Sequence, residues 1–138
     1  MLTKKPVDAA PAPTHVPGTP VELDQLVAYF EGAYVPLAQA NVSIMTHAFM
    51  YGTAVFEGIR AYWNADQGQL YALRVREHYE RLLDSCKILM MDPGHTVDEL
   101  VELTLELLRR NKFREDAYVR ATVYKSTEAI GVKLRSEE

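Results

Sequence analysis

The sequence predicts an α+β domain, an antiparallel sheet of hairpins packed by two consecutive helices, and three observations carry that expectation. Pairs of short β-prone runs are joined by turn-forming residues, two stretches of helical apolar spacing follow them, and one cleanly alternating strand follows the helices. At 138 residues the chain is long enough for one hydrophobic core and too short for two.

The first hairpin is read in Leu26-Val27-Ala28-Tyr29-Phe30-Glu31-Gly32-Ala33-Tyr34-Val35-Pro36, where aromatic and β-branched residues flank Glu31-Gly32. The second runs from a strand at Val55 to Tyr62, through the loop Asn64-Ala65-Asp66-Gln67-Gly68, to a strand at Gln69 to Arg74. From Val75 onward, Val75, Tyr79, Leu82, Leu83, Cys86, Leu89 and Met90 form one helical stripe, which Asp92-Pro93-Gly94 breaks. Thr96 followed by Glu99 is a capping box: the threonine hydroxyl and the glutamate carboxylate each satisfy a backbone donor at the helix start. Val97, Leu100, Val101, Leu105 and Leu108 give that second helix its buried face, with Asn111 as its stop. From Ala117 to Tyr124 the residues alternate, with Ala117, Val119, Ala121 and Val123 on one side and Tyr118, Arg120, Thr122 and Tyr124 on the other.

Residues 1–20 contain Pro6, Pro11, Pro13, Pro17 and Pro20 among alanines, so a tail without fixed structure is expected there and a domain over 21–138. That stretch has no arginine, unlike a mitochondrial leader, and no charged-then-apolar secretory pattern. The net charge of −4 gives no global reason to seek nucleic acid or an anionic membrane, and no apolar run reaches the length of a membrane span. The single cysteine, Cys86, excludes an internal disulfide framework and lies on the apolar helix stripe, where a buried, inert thiol is expected. These features indicate a cytoplasmic protein.

Three segments could carry chemistry. In a strand, Phe56, Gly58, Arg60 and Tyr62 share a face, and a glycine between an aromatic and an arginine leaves a gap over the backbone for another molecule. An arginine fork there suits a carboxylate or a phosphate. The alternative is that Arg60 pairs with an acid and Gly58 marks a bulge. The Tyr118, Arg120, Thr122, Tyr124 face is either a pocket wall or an exposed sheet face, since β-propensity accounts for the same residues. Arg81 lies off the apolar stripe, as a solvated arginine does, yet Ile88 lies seven residues later on nearly the same face, which suggests that something covers it. His15, His47, His78 and His95 have no metal-ligand spacing, and no metal site is expected.

Together these segments resemble the class IV (fold type IV) pyridoxal-phosphate-dependent aminotransferases, most closely the branched-chain amino acid aminotransferases. The run Met45-Thr46-His47-Ala48-Phe49-Met50-Tyr51-Gly52-Thr53-Ala54-Val55-Phe56-Glu57-Gly58-Ile59-Arg60 is similar to that family's SHALHYGTSVFEGIR segment. Arg76-Glu77-His78-Tyr79-Glu80-Arg81-Leu82 is similar to its REHMQRL helix, and Ala117-Tyr118-Val119-Arg120 to its AYIRP strand. The resemblance runs from about Tyr29 to Leu134. Ala121 departs from the family's usual proline, and Thr46 from its frequent serine.

The resemblance implies the N-terminal domain of an enzyme moving the amino group between leucine, isoleucine or valine and 2-oxoglutarate, with pyridoxal 5′-phosphate as cofactor and a homodimer as its assembly. It implies that Arg81 holds the cofactor phosphate and that Tyr51 and Phe56 wall the side-chain pocket, kept open by Gly58. Arg120, oriented by Tyr118, would bind the distal carboxylate of glutamate, and Arg60 would support that network. Ile130, Gly131 and Val132 would lie on a loop reaching the partner subunit's pocket. The family's cofactor-bonding lysine lies downstream, and none of Lys4, Lys5, Lys87, Lys112, Lys125 and Lys133 matches it, so this chain alone is expected to be inactive. Sister readings are a D-amino acid aminotransferase or an aminodeoxychorismate lyase. A reading of another class is a non-catalytic module that binds anions or dimerises.

Overall fold

A computed structural model describes residues 25–128. The expected proline-rich tail over 1–20 and the loop Ile130-Gly131-Val132 lie outside the described residues.

The first hairpin pairs β1 (Val27–Phe30) with β2 (Ala33–Pro36) as a separate two-stranded sheet. Glu31 and Gly32 both take positive φ, 47° and 87°, the left-handed backbone that a two-residue hairpin turn demands. A short 3-10 turn (Leu37–Gln39) follows, and then α1 (His47–Tyr51), which closes on Gly52 in the left-handed conformation. At five residues α1 is too short to show an apolar period, and the sequence reading has no counterpart to it.

The main sheet has three antiparallel strands in the order β4-β3-β5, with β3 over Ala54–Asn64, β4 over Gln69–Ala72 and β5 over Ala117–Tyr124. The strand expected at Gln69 to Arg74 is shorter because Arg74 turns into the left-handed region at φ 48° to start the next helix. The β3–β5 ladder runs without a break from Ala54↔Tyr124 to Ala61↔Ala117, whereas β4 reaches only Ala61 to Asn64 of β3.

Of the two longer helices, α2 (Val75–Ile88) packs on β3 of this sheet, and α3 (Val97–Asn111) packs on α2 and on β1. The core forms where the inward side of the sheet meets the stripe of α2: Ile59 with Val75, Tyr79, Leu82 and Cys86, flanked by Val55, Val119, Ala121 and Val123. Removing such side chains from water is the main stabilising contribution, of order 1.5–3 kcal/mol for each large one fully buried. The predicted capping box is present: Glu99 N–H donates to Thr96 Oγ1 at 3.3 Å, and Thr96 N–H donates to Glu99 Oε2 at 2.7 Å. Thr104, inconspicuous in the sequence, is buried and hydrogen-bonded to the Tyr79 hydroxyl, so two polar groups in the core satisfy each other. Asn111 is the last residue of α3 rather than its stop; Lys112, at φ 51°, closes the helix.

Candidate functional site

Because side chains alternate along β3, the inward side carries Val55, Glu57, Ile59 and Ala61, and the outward side carries Phe56, Gly58, Arg60 and Tyr62. Ladder register sets Gly58 opposite Arg120, Arg60 opposite Tyr118 and Phe56 opposite Thr122. The outward face of β3 and β5 thereby gathers Phe56, Gly58, Arg60, Tyr118 and Arg120, five of the residues to which the resemblance gives a role. Phe56 and Tyr118 remain 59% and 54% exposed, a large aromatic area for a surface left to water.

Arg120 is organised by its neighbours. Its guanidinium lies 4.2 Å from the centroid of the Phe56 ring and 5.4 Å from that of Tyr118, and its Nη2 donates to the Tyr118 hydroxyl at 3.3 Å. Stacking on an aromatic face fixes the plane of the guanidinium and leaves its N–H groups for an anion. Gly58 is needed by Tyr118: a Cβ at position 58 would collide with the tyrosine's ring and hydroxyl. The gap over Gly58 therefore holds the Tyr118 phenol instead of standing open for another molecule. The bulge reading fails as well, since the register is continuous through Gly58, and none of the described ion pairs involves Arg60.

Tyr51 ends α1 just before β3, and its ring lies 4.7 Å from that of His47. His47 is itself buried, with Nδ1 2.7 Å from Thr53 Oγ1. The N–H groups of His47 and Ala48 donate to the carbonyls of Thr127 and Lys125 at 2.8 and 3.2 Å, so the chain leaving β5 closes the start of α1.

Arg81 belongs to a different cluster. Its Nε and Nη2 donate to Glu57 Oε1 and Oε2 at 2.5 and 2.6 Å, and His78 Nδ1 lies 2.8 Å from Glu57 Oε2. Glu57 is an inward residue of β3, so Arg81 is held from the helix layer and not among the residues of the outward face. The Arg81 hydrogen bond, supported by His78 and opposed by burial, holds the Glu57 carboxyl down at about 2. The cover expected over Ile88 is not supplied by the described residues, since Ile88 is 79% exposed.

For an anionic cofactor, the donor set fits: a guanidinium has five N–H groups, Glu57 takes two, and the Arg81 side chain is still 67% exposed. A cavity of about 480 Å³ lies along β5 against the first hairpin and α3; it is lined by Tyr29, Leu100, Leu103, Thr104 and Tyr124 among others, and Arg120 borders it while Phe56 and Arg81 do not. Among the described residues no group of histidine, cysteine or acidic side chains is placed to hold a metal ion, and no helix is long and apolar enough to cross a membrane. Cys86 is buried, and burial raises its thiol above the ordinary range, as expected of an inert core cysteine.

Sequence reasoning passed over Glu57 and His78. The available signal was an acidic residue at a position whose strand parity called for an apolar one, between Val55 and Ile59.

The family model for amino-transferase class IV matches residues 54–138, more than half of the chain, and the chain belongs to that family. Within it, the similarity is to branched-chain amino acid aminotransferases. The chain is 54% identical over 97 residues to the probable branched-chain-amino-acid aminotransferase of Aquifex aeolicus (strain VF5), covering 70% of this chain and 31% of that protein. It superposes on the crystal structure of the branched-chain aminotransferase of Thermoproteus uzoniensis with norvaline at a TM-score of 0.75 and 40% identity, covering 80% of this chain and 36% of that one. The branched-chain amino acid aminotransferase of Thermobaculum terrenum, in its PLP-form (holo-form), gives a TM-score of 0.61 at 37% identity, with 67% and 30% covered. The chain thus spans about a third of the length of these relatives.

Proposed function

We propose that this chain supplies the small-molecule-facing wall of a pyridoxal-phosphate-dependent transaminase acting on branched-chain L-amino acids, with 2-oxoglutarate and glutamate as the partner pair. The observation that carries this reading is the outward β3–β5 face, where Phe56 and Tyr118 flank a guanidinium stacked between them. An aliphatic side chain suits the aromatic surface, and a second carboxylate suits Arg120, so one face can accept both kinds of substrate.

Pyridoxal phosphate, when bound, draws electrons away from the substrate α-carbon. The contributions of this chain are positional. Arg81 holds the phosphate. Phe56 and Tyr51 exclude water from the side-chain pocket, and Gly58 lets Tyr118 lie close enough to orient Arg120. Arg60, opposite Tyr118 in the ladder, adds positive charge for the substrate carboxylate. The enzyme assembles as a homodimer and works in the cytoplasm.

Activity of the full-length protein on leucine, D-alanine and aminodeoxychorismate tests the reading. Leucine with 2-oxoglutarate is the expected productive pair; preferred turnover of either of the others would replace it with a sister activity. The purified 138-residue chain is expected to show no turnover above the free-cofactor background, because none of its lysines matches the family's cofactor-bonding position.

A further inference from the structure

Glu57 is a buried acid on a strand face otherwise made of Val55, Ile59 and Ala61, with only 8% of its side chain exposed. Burying a carboxylate is costly unless it is paired and hydrogen-bonded, so an apolar residue would serve the core better at this position. Both oxygens are in use: Oε1 accepts from Arg81 Nε, and Oε2 accepts from Arg81 Nη2 and lies beside His78 Nδ1. A proton on Nδ1 satisfies that contact, and the longer 3.3 Å approach of Arg81 Nη2 to the same nitrogen is then proximity only. His78 and Arg81 lie three residues apart on α2 and so reach the carboxylate from one helix face.

The geometry is a two-point clamp from a rigid strand onto a side chain that is otherwise two-thirds exposed. An unclamped arginine at such exposure samples many rotamers, and a ligand must then immobilise it on binding. We propose that Glu57 is the positioning residue that presents the Arg81 guanidinium to a phosphate group, with His78 steadying the carboxylate. This rests on the reading that Arg81 holds the cofactor phosphate. The opposing effect is competition, because a carboxylate bound to the guanidinium also neutralises part of the charge that attracts an anion. Preorganisation prevails here because the clamp takes two of five N–H groups and leaves the rest for the ligand.

The test uses the full-length protein and reads the dissociation constants of pyridoxamine 5′-phosphate and of pyridoxamine, which lacks only the phosphate. Glu57→Gln is expected to weaken the phosphorylated compound about tenfold, equivalent to about 1.4 kcal/mol, and to leave pyridoxamine unchanged. In an Arg81→Ala background the same substitution should add nothing. Equal or tighter binding of the phosphorylated compound in Glu57→Gln, or an undiminished loss in the Arg81→Ala background, would overturn the proposal while leaving Arg81 as the phosphate ligand. If Arg81→Ala itself leaves the ratio of the two constants unchanged, the reading of Arg81 falls and the proposal with it. Should Glu57→Gln fail to fold, Arg81→Lys reads the same point, since it keeps the charge and removes the fork. Loss of phosphate preference is expected, and wild-type preference would overturn the clamp.

Discussion

The Tyr118 phenol occupies the space that Gly58 leaves by having no side chain, in a ladder where Arg60 faces Tyr118 and Arg120 faces Gly58. Gly58→Ala should therefore displace Tyr118, at a cost of about 1 kcal/mol or less because the colliding atoms are the far end of a half-exposed side chain. Removing the ring relieves the clash, so Tyr118→Ala should be less harmful in the Gly58→Ala background than in the wild type. A double-mutant cycle on denaturation midpoints measures this, and strict additivity would show that the two positions do not interact.

Much of the fold was legible because its signals are local. The Glu31-Gly32 turn, the Thr96–Glu99 capping box and the parity of β5 each depend on residues within a few positions of one another. What stayed hidden depends on distance in sequence. Nothing near Gly58 announces that Tyr118, far along the chain, needs its gap; glycine in a strand suggests a bulge or an opening equally well. Ile88 suggested a covered face around Arg81, yet the described residues leave it exposed. Grouping Arg81 with Phe56 and Arg120 was a statement about family roles; the strand parity that separates them appears only when Glu57 is followed inward.

The Glu57 clamp has an acid signature. Its folded-state value of about 2 lies below the ordinary 4.5, so the pair's contribution is complete above about pH 4.5, declines as pH falls toward 2, and is absent below. Urea unfolding free energies of wild type and Glu57→Gln should converge on acidification from pH 5 to pH 3 by about 1 kcal/mol, a figure reduced for the exposure of Arg81. A constant difference across that window would place the effect of the substitution outside the ion pair.

Asn111 joins α3 to the first hairpin by imitating a neighbouring strand. Its Oδ1 accepts from Val27 N–H at 2.9 Å, and its Nδ2 donates to the carbonyls of Val27 and Leu107, each at 2.9 Å. Asn111→Ala should destabilise the fold by about 1–3 kcal/mol, because half-buried backbone groups lose their partners. Asn111→Asp keeps the acceptor but sets a carboxylate oxygen against those two carbonyls at the C-terminal end of α3, so its midpoint should fall at or below that of alanine.

Cys86 should resist alkylation in the native state. It is 1% exposed, and burial raises its thiol, so both access and thiolate population are low. Iodoacetamide at pH 8 should label it at the rate of global or local opening, with full labelling in denaturant. Rapid stoichiometric labelling without denaturant would mean that α2 opens readily.

Arg120 and Arg81 make separable predictions because they sit in different layers of the molecule. Arg81 faces a group present with every substrate, so Arg81→Ala should weaken cofactor binding and slow leucine and glutamate alike. Arg120 is proposed to meet a carboxylate that glutamate carries and leucine lacks. Arg120→Ala removes a charge-assisted hydrogen bond worth about 1.5–3 kcal/mol, so the glutamate half-reaction should slow by roughly ten- to a hundredfold or somewhat more. The leucine half-reaction and cofactor affinity should stay near wild type. Arg120→Lys preserves the charge but loses both the fork and the flat stack on Phe56, and should recover only part of the glutamate rate. Single-turnover absorbance of the bound cofactor, recorded separately with each amino acid in the full-length protein, measures all of these. Equal slowing of leucine and glutamate in Arg120→Ala would remove its assignment to the distal carboxylate. The stack on Phe56 and the hydrogen bond to Tyr118 would then mark Arg120 as a structural element of the β3–β5 face.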